Sequence, residues 1–252
     1  MTSPVQLSHV TITTVGGAGG GAGNGGTGGA MTLQTEDYRI AIDSDCSFTL
    51  NGGNAGGTGN GGTSGMFRID TDANNTSIAG DVTFDGTVTT NGGTAIGGAA
   101  GDAGTITISA APATSNGTGK VTITGTLRAN GGAATTGNGG YATGGIRIYG
   151  DGSDIVISGT LEASGGASSS TGGNGGPIIV GSSTAAEQPV AIALTGTAVL
   201  RANGGSTAGS AGTISIDASG ASGANVLQYA GVTLETDDGD GSDQSGSNVT
   251  ID

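Results

Sequence analysis

Two acidic runs contain the residue types from which a calcium site is built. In the first, Asp70, Asp72 and Asn74 give the D-x-D-x-N opening of an EF-hand loop, and Asp81 stands at its twelfth place. Such carboxylate and amide oxygens are the hard ligands that Ca²⁺ prefers. The run departs from an EF-hand because Asn75 replaces the sixth-place glycine and Asp81 replaces the bidentate glutamate. A solvated acidic turn is the competing interpretation.

The second acidic run, residues 237–243, alternates carboxylates with glycines. Glycine lets the backbone turn tightly, so that successive carboxylates can face one ion. Asp238, Asp240 and Asp243 are the candidate ligands, again with a solvated acidic turn as the alternative. Calcium is therefore a candidate cofactor, and the sequence indicates no other.

Side chains for covalent or acid–base catalysis are scarce. His9 is the single histidine and lies near the N-terminus, which we take to exclude a histidine-based triad and a multi-histidine metal site. Cys46 alternates with Phe48 and Leu50, a spacing that predicts a buried strand residue. Paired carboxylates acting on a polysaccharide remain an alternative, but four Tyr, three Phe and six Lys+Arg leave few groups to bind a sugar chain. We expect a protein that is not an enzyme.

The charge balance bears on partners. The formal net charge of the 252 residues is −14, and Lys and Arg form no cluster. This argues against nucleic acid and anionic membrane surfaces as partners. No apolar run is long enough for a transmembrane helix, so membrane insertion is not expected.

The first residues and the cysteine count bear on the compartment. The opening residues, 1–10, show neither a basic region nor an apolar core, so no signal peptide is visible in this numbering. A single cysteine allows no intrachain disulfide.

These candidate residues are set in a repeated unit. Seven copies align on a corner at the end of an alternating strand, with spacings of 34 to 40 residues. The corner residues are Val15, Asn51, Asn91, Asn130, Ser164, Asn203 and Asp237. A glycine-rich loop follows the corner, and then a second strand, at 30–34, 66–70, 105–109, 146–150, 177–181, 213–217 and 248–252. A third strand precedes the next corner, at 38–43, 81–86, 120–125, 154–159, 190–196 and 225–231.

The strand periodicity predicts an all-β protein, a parallel β-solenoid of about seven coils with three short strands per coil, forming one domain over residues 1–252. Helical repeats of similar length need apolar residues at i, i+3 and i+4, whereas here they alternate. A propeller blade needs four strands joined by hairpins. In a solenoid, Val121, Ile123, Leu127, Ile146 and Ile148 point inward and stack on their counterparts.

The glycines are expected to serve two purposes. At the Asn-Gly-Gly corners we expect positive φ, which Gly adopts freely and Asn tolerates. Stacked Asn91, Asn130 and Asn203 are expected to form an amide ladder that Ser164 and Asp237 interrupt. The long loops, such as 16–29, are predicted to stack as a second, polyproline-II-like layer; flexible loops are the alternative.

Thr-x-Thr pairs raise the alternative of an ice-binding face. Pairs occur at Thr11/Thr13, Thr105/Thr107 and Thr122/Thr124, but they do not keep one column through all copies. Outward threonine is also an ordinary choice on an exposed strand.

The unit strand–NGG–glycine loop–GGxIxI, at 125–149 and 159–180, resembles the glycine-rich β-helix repeats of large bacterial surface and secreted proteins, including adhesins of the filamentous haemagglutinin type. The resemblance is compositional and covers nearly the whole chain. It implies an extracellular structural or adhesive role and assigns no functional residue.

Open solenoid ends predict self-association, because unprotected strand edges pair with other chains. We expect a subunit of an extracellular filament that assembles head to tail with copies of itself. Ile12, Leu33, Val249 and Ile251 are the predicted interface residues. The alternative is a cellular or viral adhesin that binds a receptor or surface glycan through the glycine-rich loops.

Overall fold

The computed structural model describes residues 4–36, 38–72, 80–110, 120–150, 154–182, 189–218, 225–228, 230–239 and 248–252. These ranges contain β-strands and no helix. The strands are β1 (Val5–Leu7), β2 (Thr11–Thr13), β3 (Met31–Glu36), β4 (Ile40–Ile42), β5 (Ser47–Thr49), β6 (Phe67–Asp72), β7 (Val82–Phe84), β8 (Thr87–Thr89), β9 (Ile106–Ala110) and β10 (Lys120–Ile123). They continue with β11 (Thr126–Arg128), β12 (Ile146–Gly150), β13 (Asp154–Ile157), β14 (Thr160–Glu162), β15 (Ile178–Gly181), β16 (Ala191–Leu194), β17 (Val199–Arg201), β18 (Ile214–Asp217), β19 (Asn225–Gln228), β20 (Thr233–Glu235) and β21 (Val249–Ile251).

Every third strand joins the same parallel sheet, which confirms the predicted β-solenoid. The first sheet has the order β1-β4-β7-β10-β13-β16-β19, the second β2-β5-β8-β11-β14-β17-β20, and the third β3-β6-β9-β12-β15-β18-β21. The seven strands of each sheet correspond to the seven repeats. Strand β1 was missed by the sequence reasoning, although Val5 stands opposite Ile40 in the register.

The core is built from columns of apolar side chains in register. In β12, Ile146 and Ile148 are fully buried while Arg147 between them is partly exposed, the alternation expected of a strand with one buried face. The other three residues predicted to point inward, Val121, Ile123 and Leu127, are also fully buried. A single short coil has little apolar surface, so stacking of coils creates the core.

The three phenylalanines tie the three sheets together near one end of this core. Phe84, Phe48 and Phe67 come from the first, second and third sheets, and all are fully buried. The ring centroids of Phe48 and Phe67 are 5.3 Å apart, and those of Phe67 and Phe84 are 6.2 Å apart. These tilted and edge-on arrangements are the favourable ones for aromatic pairs.

The glycine-rich loops form an ordered second layer, as predicted. We call this the glycine layer, and it comprises residues 16–29, 52–65, 92–104, 131–145, 165–176 and 204–212. In each loop an outbound segment leaves the second sheet, and a return segment runs back to the third sheet. The hydrogen bonds of both segments go to other segments of the layer and to the corners.

One column of backbone hydrogen bonds runs through the whole glycine layer. Gly26 N–H donates to Gly17 O in the same coil at 2.7 Å, and Gly53 N–H donates to Gly26 O of the preceding coil at 2.8 Å. The same alternation repeats, with bonds of 2.8–2.9 Å, through Gly62, Gly93, Gly101, Gly132, Gly140, Gly166, Gly173 and Gly205. The buried polar groups of the glycine layer thereby find partners in adjacent segments.

The expected reason for the corner glycines was wrong. Among the described residues, positive φ occurs at His9, Gly21, Gly57, Gly145, Gly181, Gly196, Thr207, Ala208 and Gly231, and none of these is a corner position. The corner glycines are needed because segments approach closely. A Cβ on Gly52 would overlap the carbonyl of Gly62, and one on Gly53 would overlap the carbonyl of Gly17. Absence of a side chain, not backbone conformation, selects glycine there.

The asparagine ladder also differs from the expected amide-to-amide stack. The Asn51 Oδ1 atom accepts the backbone N–H of Asn91 at 2.9 Å, and Asn91 Oδ1 accepts that of Asn130 at 3.0 Å. Ser164 does not interrupt the contact below it, because its backbone N–H donates to Asn130 Oδ1 at 2.8 Å. Each asparagine needs only a main-chain donor in the next coil, so the side chain of the corner residue that supplies this donor is free to vary.

Candidate functional site

The end coils are the main candidate site. In the part of the chain that the structure describes, β1, β2 and β3 lie at one end of the three sheets and β19, β20 and β21 at the other. Each of these six strands pairs on one side only. Their free edges therefore carry backbone donors and acceptors with no partner strand, the arrangement that templates pairing with another chain.

The predicted interface residues lie at these ends. Ile12 in β2 and Leu33 in β3 pack against the core and are only partly buried. Val249 and Ile251 in β21 are 41% and 44% exposed, whereas interior residues of the same columns, such as Ile216, are fully buried. Both ends thus expose apolar side chains that would be covered if another coil were added.

The columns of the two ends match in register. In the third sheet, one column begins at Met31 and ends at Val249, and the next begins at Leu33 and ends at Ile251. In the second sheet, a column runs from Ile12 to Leu234. A second copy placed on the last coil would therefore continue each of these three columns with an apolar residue.

Gly17 marks the open end of the glycine layer. Its counterparts in the next coils, Gly53, Gly93, Gly132, Gly166 and Gly205, have no room for a Cβ because the preceding coil lies against them. A Cβ on Gly17 would meet no atom within 4 Å. The space that an additional coil would fill is therefore open at this position.

The first candidate calcium ligands lie in two different settings. Asp70 is part of β6, paired with Gln34 and Ser109, and its carboxylate accepts a hydrogen bond from Arg68 at 2.6 Å. Asp81 Oδ1 accepts the backbone N–H of Lys120 at 2.8 Å. The Asp72 side chain and Asn74 lie outside the described part of the structure.

The remaining calcium candidates give little further geometry. Asp238 is partly buried, and Asp240 and Asp243 lie outside the described residues. Within the ranges that the structure describes, no group of three or more His, Cys, Asp or Glu side chains is placed to hold a metal ion. Calcium binding at either acidic run remains a prediction.

An alternating charge ladder on the second sheet was missed by the sequence reasoning. Its outward column reads Arg128, Glu162, Arg201, Glu235 in successive coils. The Nε of Arg128 lies 3.1 Å from Glu162 Oε2, and the Nε of Arg201 lies 2.9 Å from Glu235 Oε2. The alternation of LRANGG with LEASGG and LETDDG in the sequence is the signal that would have revealed it.

Each glutamate of this ladder also holds a corner asparagine. Asn130 Nδ2 donates to Glu162 Oε1 at 2.9 Å, and Asn203 Nδ2 donates to Glu235 Oε1. The hydrogen bond from Asn203, with a further contribution from Arg201, lowers the pKa of Glu235 below its ordinary value of 4.5. The ladder therefore fixes the corners at Asn130 and Asn203.

His9 and Cys46, the residues considered for catalysis, both lie next to Asp45, whose Oδ1 atom is 3.9 Å from Cys46 Sγ. Cys46 is buried, as predicted, and its Sγ lies 3.3 Å from Leu7 O. His9 is exposed, with its Nδ1 atom 2.9 Å from Asp45 Oδ2.

The threonine pairs that suggested an ice-binding face belong to different elements. Thr11 and Thr13 lie in β2, Thr122 lies in β10 of the first sheet, and Thr107 lies in β9 of the third sheet. In the register, the column of Thr11 instead contains Ser47, Thr87, Thr126, Thr160, Val199 and Thr233. The adjacent column starts with Thr13, Thr49 and Thr89 and then becomes the charge ladder. The sheet therefore presents paired hydroxyls in its first three coils only.

Comparisons with known proteins assign no function to this chain. No family model, no curated protein and no solved structure matches this chain. In the described ranges, no helix has the length and apolarity required to span a bilayer. The protein is thus classified by its fold alone, as a parallel β-solenoid. This fold is compatible with a β-helix repeat protein.

Proposed function

We propose that the protein is a non-enzymatic structural subunit of an extracellular filament, which assembles head to tail through the open ends of its solenoid. The observation that carries the proposal is the register match between the two end coils. Three sheets and their apolar columns end without a partner strand at both ends of the described chain. A second copy offers the complementary edge at the same spacing, because strands in a sheet stack at about 4.8 Å.

The contact would be heterologous, with one end of a copy on the opposite end of the next. Such a contact does not close on itself unless the rotation forms a ring, so it extends into a filament. Parallel pairing of β21 with β3 of the next copy would cover Val249 and Ile251 with Met31 and Leu33. Main-chain hydrogen bonds would supply the remaining contacts, as they do between interior coils.

Substitutions at the two ends test this proposal. Ile251→Lys places a charge in the apolar contact, and Thr250→Lys places the same charge on the outward face of the same strand. We expect Ile251→Lys to abolish concentration-dependent light scattering and filaments in electron micrographs, and Thr250→Lys to retain both. Deleting residues 248–252 should also abolish filaments.

Gly17→Ala tests the opposite end without disturbing the fold. Its Cβ has open space in a single copy but would meet the preceding coil once another copy is added. We expect unchanged unfolding of the single copy and loss of assembly. Persistent monomers of the parent protein at high concentration, or filaments that all three end variants retain, would overturn the proposal.

An adhesin that binds a receptor or surface glycan is the second candidate. Two large side chains on the glycine layer favour it, because Ile96 is 55% exposed and Tyr141 is 40% exposed. Exposed apolar and aromatic side chains are common contacts for ligands. Glycan-array binding that is lost in Tyr141→Ala, with no assembly of the parent protein, would favour the adhesin.

A further inference from the structure

Asn-Gly dipeptides are chemically unstable, and this chain is rich in them. The sequence contains nine, of which eight lie in the described part, beginning at Asn24, Asn51, Asn60, Asn91, Asn130, Asn138, Asn174 and Asn203. The ninth, Asn116-Gly117, lies outside the described residues. Asparagine is a thermolabile residue, and a following glycine places no side chain in the way of its own backbone nitrogen.

The reaction is deamidation through a cyclic imide. The glycine backbone nitrogen attacks the asparagine Cγ and loses its proton, and the side-chain amide leaves as ammonia. Water then opens the succinimide at one of its two carbonyls and leaves aspartate or isoaspartate. The attack requires a free glycine N–H and a side-chain amide that can rotate towards it.

All eight glycine nitrogens are occupied by hydrogen bonds to the next coil. Gly52 N–H donates to Asn91 O at 2.9 Å, and Gly204 N–H donates to Asp237 O at 2.7 Å. The other six make equivalent bonds of 2.8–2.9 Å, which are those of Gly25, Gly61, Gly92, Gly131, Gly139 and Gly175. The attacking nitrogen of each dipeptide is therefore engaged in an intercoil hydrogen bond.

In seven of the eight dipeptides, one residue of the next coil binds both the asparagine side chain and the glycine N–H. Asn91 shows the pattern, because it accepts from Gly52 N–H with its carbonyl and donates its own N–H to Asn51 Oδ1. We call this pair of bonds the corner clamp. The same clamp holds the side chains of six further asparagines, whose Oδ1 atoms lie 2.8–3.1 Å from the backbone nitrogen of the clamping residue. These are Asn24, Asn60, Asn91, Asn130, Asn174 and Asn203.

Asn138 is the exception among the eight. Gly139 N–H donates to Thr171 O at 2.8 Å, but the structure gives the exposed Asn138 side chain no hydrogen bond. Its Cγ is therefore the least restrained of the eight electrophiles.

We propose that the corner clamp protects the Asn-Gly dipeptides from deamidation in the folded protein, and that Asn138 is the described site that deamidates first. Asp237, which occupies a corner position, indicates that an aspartate side chain is compatible with the fold. Isoaspartate is different because it adds a methylene to the backbone and would shift a corner out of register with its neighbours. The inference does not depend on filament assembly.

Peptide mapping by mass spectrometry tests the inference. Folded and urea-unfolded protein are incubated side by side in mildly alkaline buffer, and fragment ions assign each deamidated residue. In the folded protein we expect Asn138 to react about tenfold or more faster than Asn130, since the Asn130 side chain must first break two intercoil hydrogen bonds, one from Ser164 N–H and one to Glu162. In urea the two should react at similar rates. Asn116 is quantified separately.

A variant that leaves the fold intact gives a second test of the assignment of Asn138. Asn138→Gln removes the reactive pair, and the side chain makes no hydrogen bond that the fold needs, so the circular dichroism spectrum should not change. We expect the earliest product among the eight described sites to disappear. Equal rates for Asn138 and Asn130 in the folded protein, or clamped sites that react as fast folded as unfolded, would overturn the proposal.

Discussion

Gly140→Ala should be strongly destabilising although it adds only one methyl group. Gly140 lies in the return segment of the fourth glycine loop, in the middle of the stack. Its N–H donates to Gly132 O, and its carbonyl accepts from Gly166 N–H, both at 2.9 Å. A Cβ there would lie 2.7 Å from the carbonyl carbon of Gly101 and 2.9 Å from Gly132 N, and closer still to the Gly101 carbonyl oxygen.

The size of the effect follows from these contacts. The carbonyl-carbon contact must lengthen from 2.7 Å to at least the 3.4 Å of ordinary van der Waals contact. A shift of that size takes both hydrogen bonds out of their normal range. Overpacking costs about 1–3 kcal/mol, and each lost hydrogen bond about 0.5–1.5 kcal/mol. We therefore expect Gly140→Ala to lower the free energy of unfolding by about 2–6 kcal/mol, a large part of the stability of a typical domain.

Urea unfolding followed by circular dichroism measures this change, and Gly20→Ala is the matched control. Gly20 also lies in a glycine loop, but a Cβ there would have no atom within 4 Å. Its φ lies outside the positive region, so alanine fits its backbone and should have a neutral or slightly stabilising effect. If the two variants unfold at the same urea concentration, close packing of the glycine layer does not stabilise the fold.

Three further substitutions have defined outcomes. Phe67→Ala should cost about 3–5 kcal/mol in urea unfolding, because it removes the central ring of the buried aromatic group; a loss below about 1 kcal/mol would contradict this. Asn130→Ala removes the acceptor of the N–H of Ser164 and the donor to Glu162 Oε1, and should cost about 1–3 kcal/mol. Asn138→Ala should stay within about 0.5 kcal/mol, and equal losses would refute the ladder. Because its pKa is lowered on folding, Glu235 contributes stability above its ordinary pKa of 4.5 and loses it as the pH falls through the folded pKa. Glu235→Gln should therefore reduce the fall in Tm on acidification, and an unchanged pH profile would argue against the interaction.

The architecture was predictable because the repeat and the alternation are both visible in the chain. Apolar residues two apart, such as Ile146 and Ile148, define one buried face, and their recurrence in other copies defines the columns. Strand β1 was missed because Val5–Leu7 is short and precedes the first recognised corner.

The details of the corners were not predictable from local preferences. Glycine at Gly52 and Gly53 was attributed to positive φ, but its cause is the approach of segments from the same and the preceding coil. Such approach depends on the register between residues far apart in the chain. The same applies to Asn130, whose partners Ser164 and Glu162 are known only once the coils are aligned.

The alternation of arginine and glutamate on the second sheet sets a rule for how such a chain can be lengthened. Duplication of a single arginine coil would place two arginines next to each other and leave one corner asparagine without its carboxylate. Duplication of a single glutamate coil would place two glutamates next to each other. Duplication of an arginine coil together with the following glutamate coil preserves every pair. The sequence carries two such pairs, at Arg128/Glu162 and Arg201/Glu235, and so the natural module of growth is two coils.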